Sequence, residues 1–363
     1  MIRLRSRSDA GRRALVRRRR LAGLVLIVAV GAASAAARAG AGPTPIRIGW
    51  QTAWATQGQI VEALKHTNAL AGQGFSGTFD GFSYGGPLNL AALAGKEDVI
   101  FTADQPAAAL LATGAKWEIV ARLMYNRVSI YVPPDSSIKT IADLKGKTIG
   151  IPFGAAAQRE ALRAIQRAGL DPQKDTKAVN LDIYTQVPII ERGTRSNWGT
   201  IDALVGFDPI PAAFQQRNLA RILYATTVVA VVMLSRDFID RNPGAPEKFL
   251  RAYGESYYYY ARHQLQAGGW FVRDSRLPFG ADVLALSASV EPNVSVKKPG
   301  DLRLALSRDD VDRMQSGIDF LYQQKLIASP IKFRDYIDQT YLDRALGWLR
   351  AHAGVFARVR PTA

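Results

Sequence analysis

Short apolar runs alternate with stretches of helical period along the first two-thirds of this chain, and beyond residue 245 the helical period stands alone. Residues 46–50 alternate apolar and polar positions as a first strand, and 57–70 follow with helical spacing. The unit then repeats: 78–82 reads as a strand, 87–94 as a helix, 99–103 as a strand and 106–112 as a helix, the alternation of a parallel sheet. Residues 117–124 and 128–132 give two more strands before Pro133-Pro134 breaks the pattern. A second set follows, with a short helix at 141–144, a strand at 148–151 and a helix at 155–168 stopped by Gly169. Strands are expected at 179–183 and 201–205, with helices at 188–192 and 210–216. Residues 222–234 return as β-rich, Val228 to Val232 being mostly β-branched. The remainder is helical, at 245–266, 282–289, 308–324 and 342–351.

Two segments share one spacing. Residues 95–104 and 199–208 both read Gly-x-x-Asp, five mostly apolar residues, then Asp, with Pro106 and Pro209 close behind. An apolar run of five bounded by Gly and Pro fits a strand buried on both faces, so Asp104 and Asp208 fall where strands stop. Open α/β sheets bind ligands at that carboxyl edge. Two copies a hundred residues apart predict two sheets, each offering a carboxylate to something between them. The expected organisation is an α/β protein with a first lobe at 44–133, a second at 134–222, and completion of the first at 223–345, followed by a tail at 346–363. Two chain crossings between the lobes make a hinge.

Composition changes the picture mainly at the amino terminus. Nine arginines precede Leu21, an uncharged run follows, and Ala37-Arg38-Ala39 offers a small-x-small cleavage site, so 1–39 reads as a signal peptide. Ten of the 47 basic residues and one of the 31 acidic ones lie in that leader; of the formal charge of +16, +9 leaves with it and +7 remains. The remaining Lys and Arg are scattered among acids, which argues against nucleic acid as a partner. The chain has no cysteine, excluding thiol catalysis, thiolate metal sites and a lipidated amino-terminal Cys.

In order along the chain stand Ile46-Arg47-Ile48-Gly49-Trp50-Gln51, Gly85-Gly86-Pro87, Ala94-Gly95 with Asp98, the run 137–147 (SIKTIADLKGK), Gly150-Ile151-Pro152-Phe153-Gly154, Ala168-Gly169-Leu170, and Asp202-Ala203 with Phe207-Asp208-Pro209. This order resembles the nitrate, sulfonate, taurine and thiamine-precursor branch of the periplasmic substrate-binding proteins that feed ABC transporters, over residues 45–265. The resemblance implies an α/β fold of the two-lobed periplasmic-binding-protein kind (type II-like), with parallel-sheet lobes, a hinge and a central cleft. It further implies a monomer that closes on a small-molecule ligand, makes or breaks no bond, needs no cofactor, and hands the solute to an inner-membrane permease and its ATPase. The chain differs at Ala155-Ala156-Ala157, where relatives often carry hydroxyl residues, and at Tyr84, where Ser is common.

Candidate ligand contacts follow from position. Ser83, Tyr84, Gly85 and Gly86 join a strand to a helix start, and Gly154, Ala155 and Ala156 do the same in the second lobe. Both turns can present backbone N–H groups to an anion; the alternative is a tight turn with no ligand. Asp104, with Gln105 beside it, and Asp208 can receive an ammonium or hydroxyl, or cap the helices that follow. Gln51 and Trp54 follow the first strand and reach the cleft mouth, or pack on the surface. Arg127 is a candidate for neutralising an anion, or a solvated or paired side chain. Tyr257 to Tyr260 circle a whole helical turn and suit core packing. Gly72-Gln73-Gly74-Phe75-Ser76-Gly77 matches a dinucleotide pattern but follows a helix and precedes a strand, so it reads as a turn. His66, His263 and His352 are far apart and form no metal-spaced cluster. An enzyme on the same scaffold and a ligand-sensing module for a membrane partner are the rival functions.

Overall fold

The computed structural model describes residues 42–277 and 279–362; the leader at 1–39 lies outside them. Its strands are β1 (Thr44–Gln51), β2 (Phe75–Phe82), β3 (Val99–Ala103), β4 (Trp117–Val132), β5 (Thr148–Ile151), β6 (Lys177–Asn180), β7 (Ala203–Phe207) and β8 (Arg221–Ser235). Helices α1 (Gln57–His66), α2 (Ala69–Gly72), α3 (Gly85–Leu93), α4 (Asp104–Ala112), α5 (Ala156–Arg167), α6 (Ile183–Arg192) and α7 (Ile210–Gln216) alternate with them. After β8 come α8 (Arg236–Arg241), α9 (Ala245–Arg262), α10 (Gln264–Ser275), α11 (Ala281–Ala288), α12 (Arg308–Gln323) and α13 (Thr340–Ala351).

The two expected sheets are one. Its order is β2-β1-β3-β8-β4-β7-β5-β6, with parallel pairs β1/β3, β5/β6 and β5/β7 and antiparallel pairs β3/β8, β4/β8 and β4/β7. The lobes are therefore parallel only at their outer strands. The expected strands at 117–124 and 128–132 are a single strand, because Asn126 and Arg127, which look like a break, stay in the ladder opposite Val228 and Thr227. β4 and β8 are long enough to serve both lobes. The Glu118–Met124 part of β4 pairs with the stretch of β8 that also meets β3, whereas Val128–Tyr131 lies between β8 and β7. These two strands run through the whole of the sheet's middle, next to the places where the sequence predicts that the chain crosses between lobes.

Both faces of the sheet are covered, so β8 is apolar at every position from Val228 to Leu234. Val228, Ala230, Val232 and Leu234 join one core with Phe249 and Tyr253 of α9, while Val229, Val231 and Met233 join the other with Leu88, Leu110 and Met314. Side chains that alternate across a strand require this division. β6 lies at 177–180, short of the expected 179–183, as a fully exposed edge; the apolar Ile183 opens α6 instead. The helix expected over 245–266 breaks at His263 (φ −132°, ψ 46°). Tyr253, Tyr257 and Tyr260 of α9 are buried on one stripe, and Tyr258 lies on the other side against Phe356. The last residues are tied down: Thr362 N–H donates to the His66 carbonyl at 2.9 Å, and Asn68 N–H to that of Arg360 at 3.0 Å.

Candidate ligand site

The carboxyl ends of β1, β3, β5 and β7 meet the starts of α3, α4 and α5 around a cavity of about 10 Å³, lined by Gln51, Trp54, Gly85, Ala103, Pro106, Ala155–Ala157, Val128, Phe207 and Val228. It is close to the size of one water molecule. Three helices aim their amino-terminal ends at it, and the residues before them, Tyr84, Ala103 and Ala155, supply no side-chain cap, although Asp104, the first residue of α4, takes the Gln105 N–H. The first N–H groups of a helix have no intrahelical acceptor and lie at the positive end of its dipole. Gly85 is needed for this convergence, since a Cβ there would lie 2.5 Å from the Pro106 ring. Gly154 takes φ +86°, which favours glycine at the turn into α5. Trp54 is buried edge-on to Phe207 at 6.1 Å, and its indole N–H has no partner. Gln51 is held by Gln57, whose Oε1 accepts from the Gln51 N–H at 2.8 Å.

Other expected site residues bridge the two lobes instead of lining the cavity. Ser83 Oγ donates to Asp182 at 2.7 Å, and Tyr184 OH to Thr52 Oγ1 at 2.8 Å. Gln105 Nε2 donates to Gln158 Oε1 at 3.3 Å while its Oε1 accepts from the Arg159 N–H at 3.2 Å. Gly86 approaches the Phe153 carbonyl, 3.5 Å from where a Cβ would sit, and Gly154 faces Gly86. Tyr84 is half-buried; burial and the nearby Asp182 push its phenol above the usual range.

The two strand-tip carboxylates are not free for a ligand. Asp104 pairs with Arg159 at 2.9 Å, both almost fully buried, and also accepts from the Gln105 N–H at 2.8 Å. Asp208 takes the Arg127 guanidinium through both oxygens at 2.8 and 3.1 Å. Burial pushes both carboxyls above the ordinary range, and the arginines oppose it. In Arg159, burial acts to lower the pKa, but Asp104 and Glu160 outweigh it and hold the guanidinium above its ordinary value. Arg127 is thus not a solitary cation but the counter-charge of Asp208. A carboxylate left unpaired so far from water would be too costly, so each lobe supplies an arginine. Nor do the two Asp residues share a hollow. Asp104 borders a second, polar cavity of about 390 Å³ with Arg159, Glu160, Arg163, Thr226 and Arg313, whereas the narrow cavity takes Ala103 and Phe207, the residues just before each Asp. Val228 borders both cavities.

Sequence reasoning passed over Arg159, Asp182, Tyr184, Thr52 and Gln158. Arg159 carried a signal: it lies three and four residues from Ala156 and Ala155 and three before Leu162, on the apolar stripe of its helix, where an arginine needs a buried partner. The other four carried none, because their partners lie 53 to 132 residues away.

The fold is shared with known proteins. The NMT1/THI5-like pattern matches residues 85–267, half of the chain. A protein of Escherichia coli (strain K12) named as an aliphatic sulfonates-binding protein is 24% identical over 214 residues, 58% of this chain; the chain spans 62% of that relative's length. Among solved structures, the alkanesulfonate-binding protein SsuA from Xanthomonas axonopodis pv. citri, bound to MOPS, is similar with a TM-score of 0.67 at 22% identity, covering 82% of this chain and 99% of that one. The periplasmic aliphatic sulphonate binding protein SsuA from Escherichia coli gives 0.63 at 22%, covering 82% and 92%. The desulfurization enzyme DSZB gives 0.61 at 14%, covering 84% and 99%. These likenesses establish the periplasmic-binding-protein fold. With the family pattern covering half of the chain, the chain belongs to the NMT1/THI5-like family.

Proposed function

We propose that this protein is the solute-binding component of an ABC uptake system, taking a small anionic or zwitterionic organic solute of the sulfonate or taurine kind between its lobes. The carrying observation is the meeting at one cavity of three helix amino termini, drawn from both lobes, of which those of α3 and α5 carry no capping side chain, with Trp54, whose indole N–H has no partner, in the lining. Such a site favours negative charge without any cationic side chain in the cavity lining. Asp104 and Asp208, being paired, leave an ammonium group to be met by other groups, so a plain sulfonate fits the site at least as well as an aminosulfonate. The arginine-rich leader at 1–39 supports export to the periplasm, where a monomer would meet the permease and its ATPase. Among the described residues no helix is long and apolar enough to cross a membrane.

A cavity of about 10 Å³ is smaller than any sulfonate. Ligand entry therefore requires the lobes to part about β4 and β8, breaking the Ser83–Asp182, Thr52–Tyr184 and Gln105–Gln158 bonds, with a net cost of about 0.5–1.5 kcal/mol each. Ligand that binds only the folded state raises its stability. A thermal-shift panel of taurine, alkanesulfonates, nitrate, aminophosphonates and pyrimidines tests the reading: an alkanesulfonate is expected to raise the melting temperature, and silence across the panel refutes it. The likeness to DSZB keeps an enzyme on this scaffold as a second reading. Mass spectrometry of the stabilising compound after incubation separates the two, since a binder returns it unchanged.

A further inference from the structure

One cluster gathers metal-ligating groups that the sequence holds apart. The three histidines form no cluster with one another, but His66 meets two carboxylates. α1 places Glu62 and His66 one turn apart on the same face, and α10 brings Asp274 onto that face. His66 Nε2 lies 3.1 Å from a Glu62 oxygen and 3.4 Å from an Asp274 oxygen. Glu62 is 0% exposed, and neither of its carboxylate oxygens has a hydrogen-bond partner. A buried carboxylate with His66 Nε2 at 3.1 Å and Lys65 at 3.8 Å but no hydrogen bond made is under-served by the protein alone. The His66 ring is fixed by stacking on Trp270, with centroids 5.2 Å apart.

We propose that Glu62, His66 and Asp274 bind one divalent transition cation of the Zn²⁺ type, through His66 Nε2 and one oxygen from each carboxylate, with water in the fourth position. Ligands about 2.0–2.1 Å from a tetrahedral zinc stand about 3.3 Å from one another, which matches the two spacings around Nε2. The imidazole and the small ligand number favour this class over Ca²⁺ or Mg²⁺, which want six or more oxygens or a shell of waters. Two cations compete for the same atoms. Lys65 pairs with Asp274 and lies 3.8 Å from Glu62, while Arg273 lies 3.3 Å from His66 Nε2 and 3.1 Å from Asp274. Both have room to swing out, with side chains 34% and 60% exposed. None of these residues lines either interlobe cavity, so the ion would staple α1 to α10 rather than touch the solute.

The test is titration of the chelator-stripped full-length protein with ZnCl₂, followed by calorimetry and native mass spectrometry. One zinc per chain is expected, lost in Glu62→Gln and His66→Ala and tightened in Lys65→Met, which removes the competing ammonium. The solute-dependent thermal shift should be the same in Glu62→Gln as in the wild type, which separates this proposal from the transport reading. Zinc K-edge absorption of the wild type needs no variant and should show one nitrogen and otherwise oxygen ligands with no sulfur. Absence of wild-type binding, an all-oxygen shell, or binding unchanged in both Glu62→Gln and His66→Ala would overturn it, leaving the cluster as an ion-pair network only.

Discussion

Arg127 and Asp208 show what a single residue can and cannot announce. Each looked like a ligand contact, and each is the other's partner: Asp208 is fully buried and Arg127 reaches it with two nitrogens. Removing the arginine alone strands a buried charge. Arg127→Met should therefore cost about 3–5 kcal/mol in urea unfolding, and the added Asp208→Asn should recover much of it. Equal losses in the single and double variants would show that the pair is not coupled. The chemistry of these residues was legible in the sequence, but their pairing was not, because 81 residues separate them. Of the expected contacts, Gln51, Trp54, Gly85, Ala155 and Ala156 do border one cavity. Their position was legible because a strand end followed by a turn fixes where a residue lies, whereas the direction of a long polar side chain depends on partners elsewhere in the chain.

At the scale of elements, helix starts matter more than side chains. Ala155 precedes α5 in an extended conformation (φ −81°, ψ 150°) with no cap. Ala155→Asp supplies the missing cap but buries an unpaired carboxylate at a cavity of about 10 Å³, where the solute's anion is meant to sit, so desolvation and crowding outweigh the cap. The expected outcome is a lower melting temperature without solute and loss of the sulfonate-dependent shift. A shift that persisted would place the anion elsewhere. Strands and helices themselves were largely legible: 99–103, 148–151 and 210–216 occur as expected, since apolar runs bounded by Gly and Pro leave little choice. The failures have different causes. Asn126 and Arg127 inside β4 carry a local pattern that strand pairing overrides, whereas Ile183 is drawn into α6 by the local cap of Asp182, which accepts from the Tyr184 N–H at 2.8 Å.

On the scale of the whole molecule, one sheet carries both lobes, and the contacts across the cleft determine how readily they part. Ser83→Ala with Tyr184→Phe removes two of those contacts without touching either core. The pair should shift the population toward the open form, read as a larger radius of gyration in X-ray scattering, with addition of the solute reversing it. No change in radius would mean that the remaining Gln105 and Asp104 contacts suffice to hold the lobes together. The alternation of strands and helices was legible; the single sheet was not, since its continuity rests on pairing between residues 117–132 and 221–235. Trp54 lends that motion a means of being watched. Of six tryptophans in the chain, it is the one at the narrow cavity, with its indole edge against Phe207. Parting the lobes would admit water beside the ring and redden its emission, and a guest filling the space would turn the colour back, so the molecule carries its own optical gauge of occupancy.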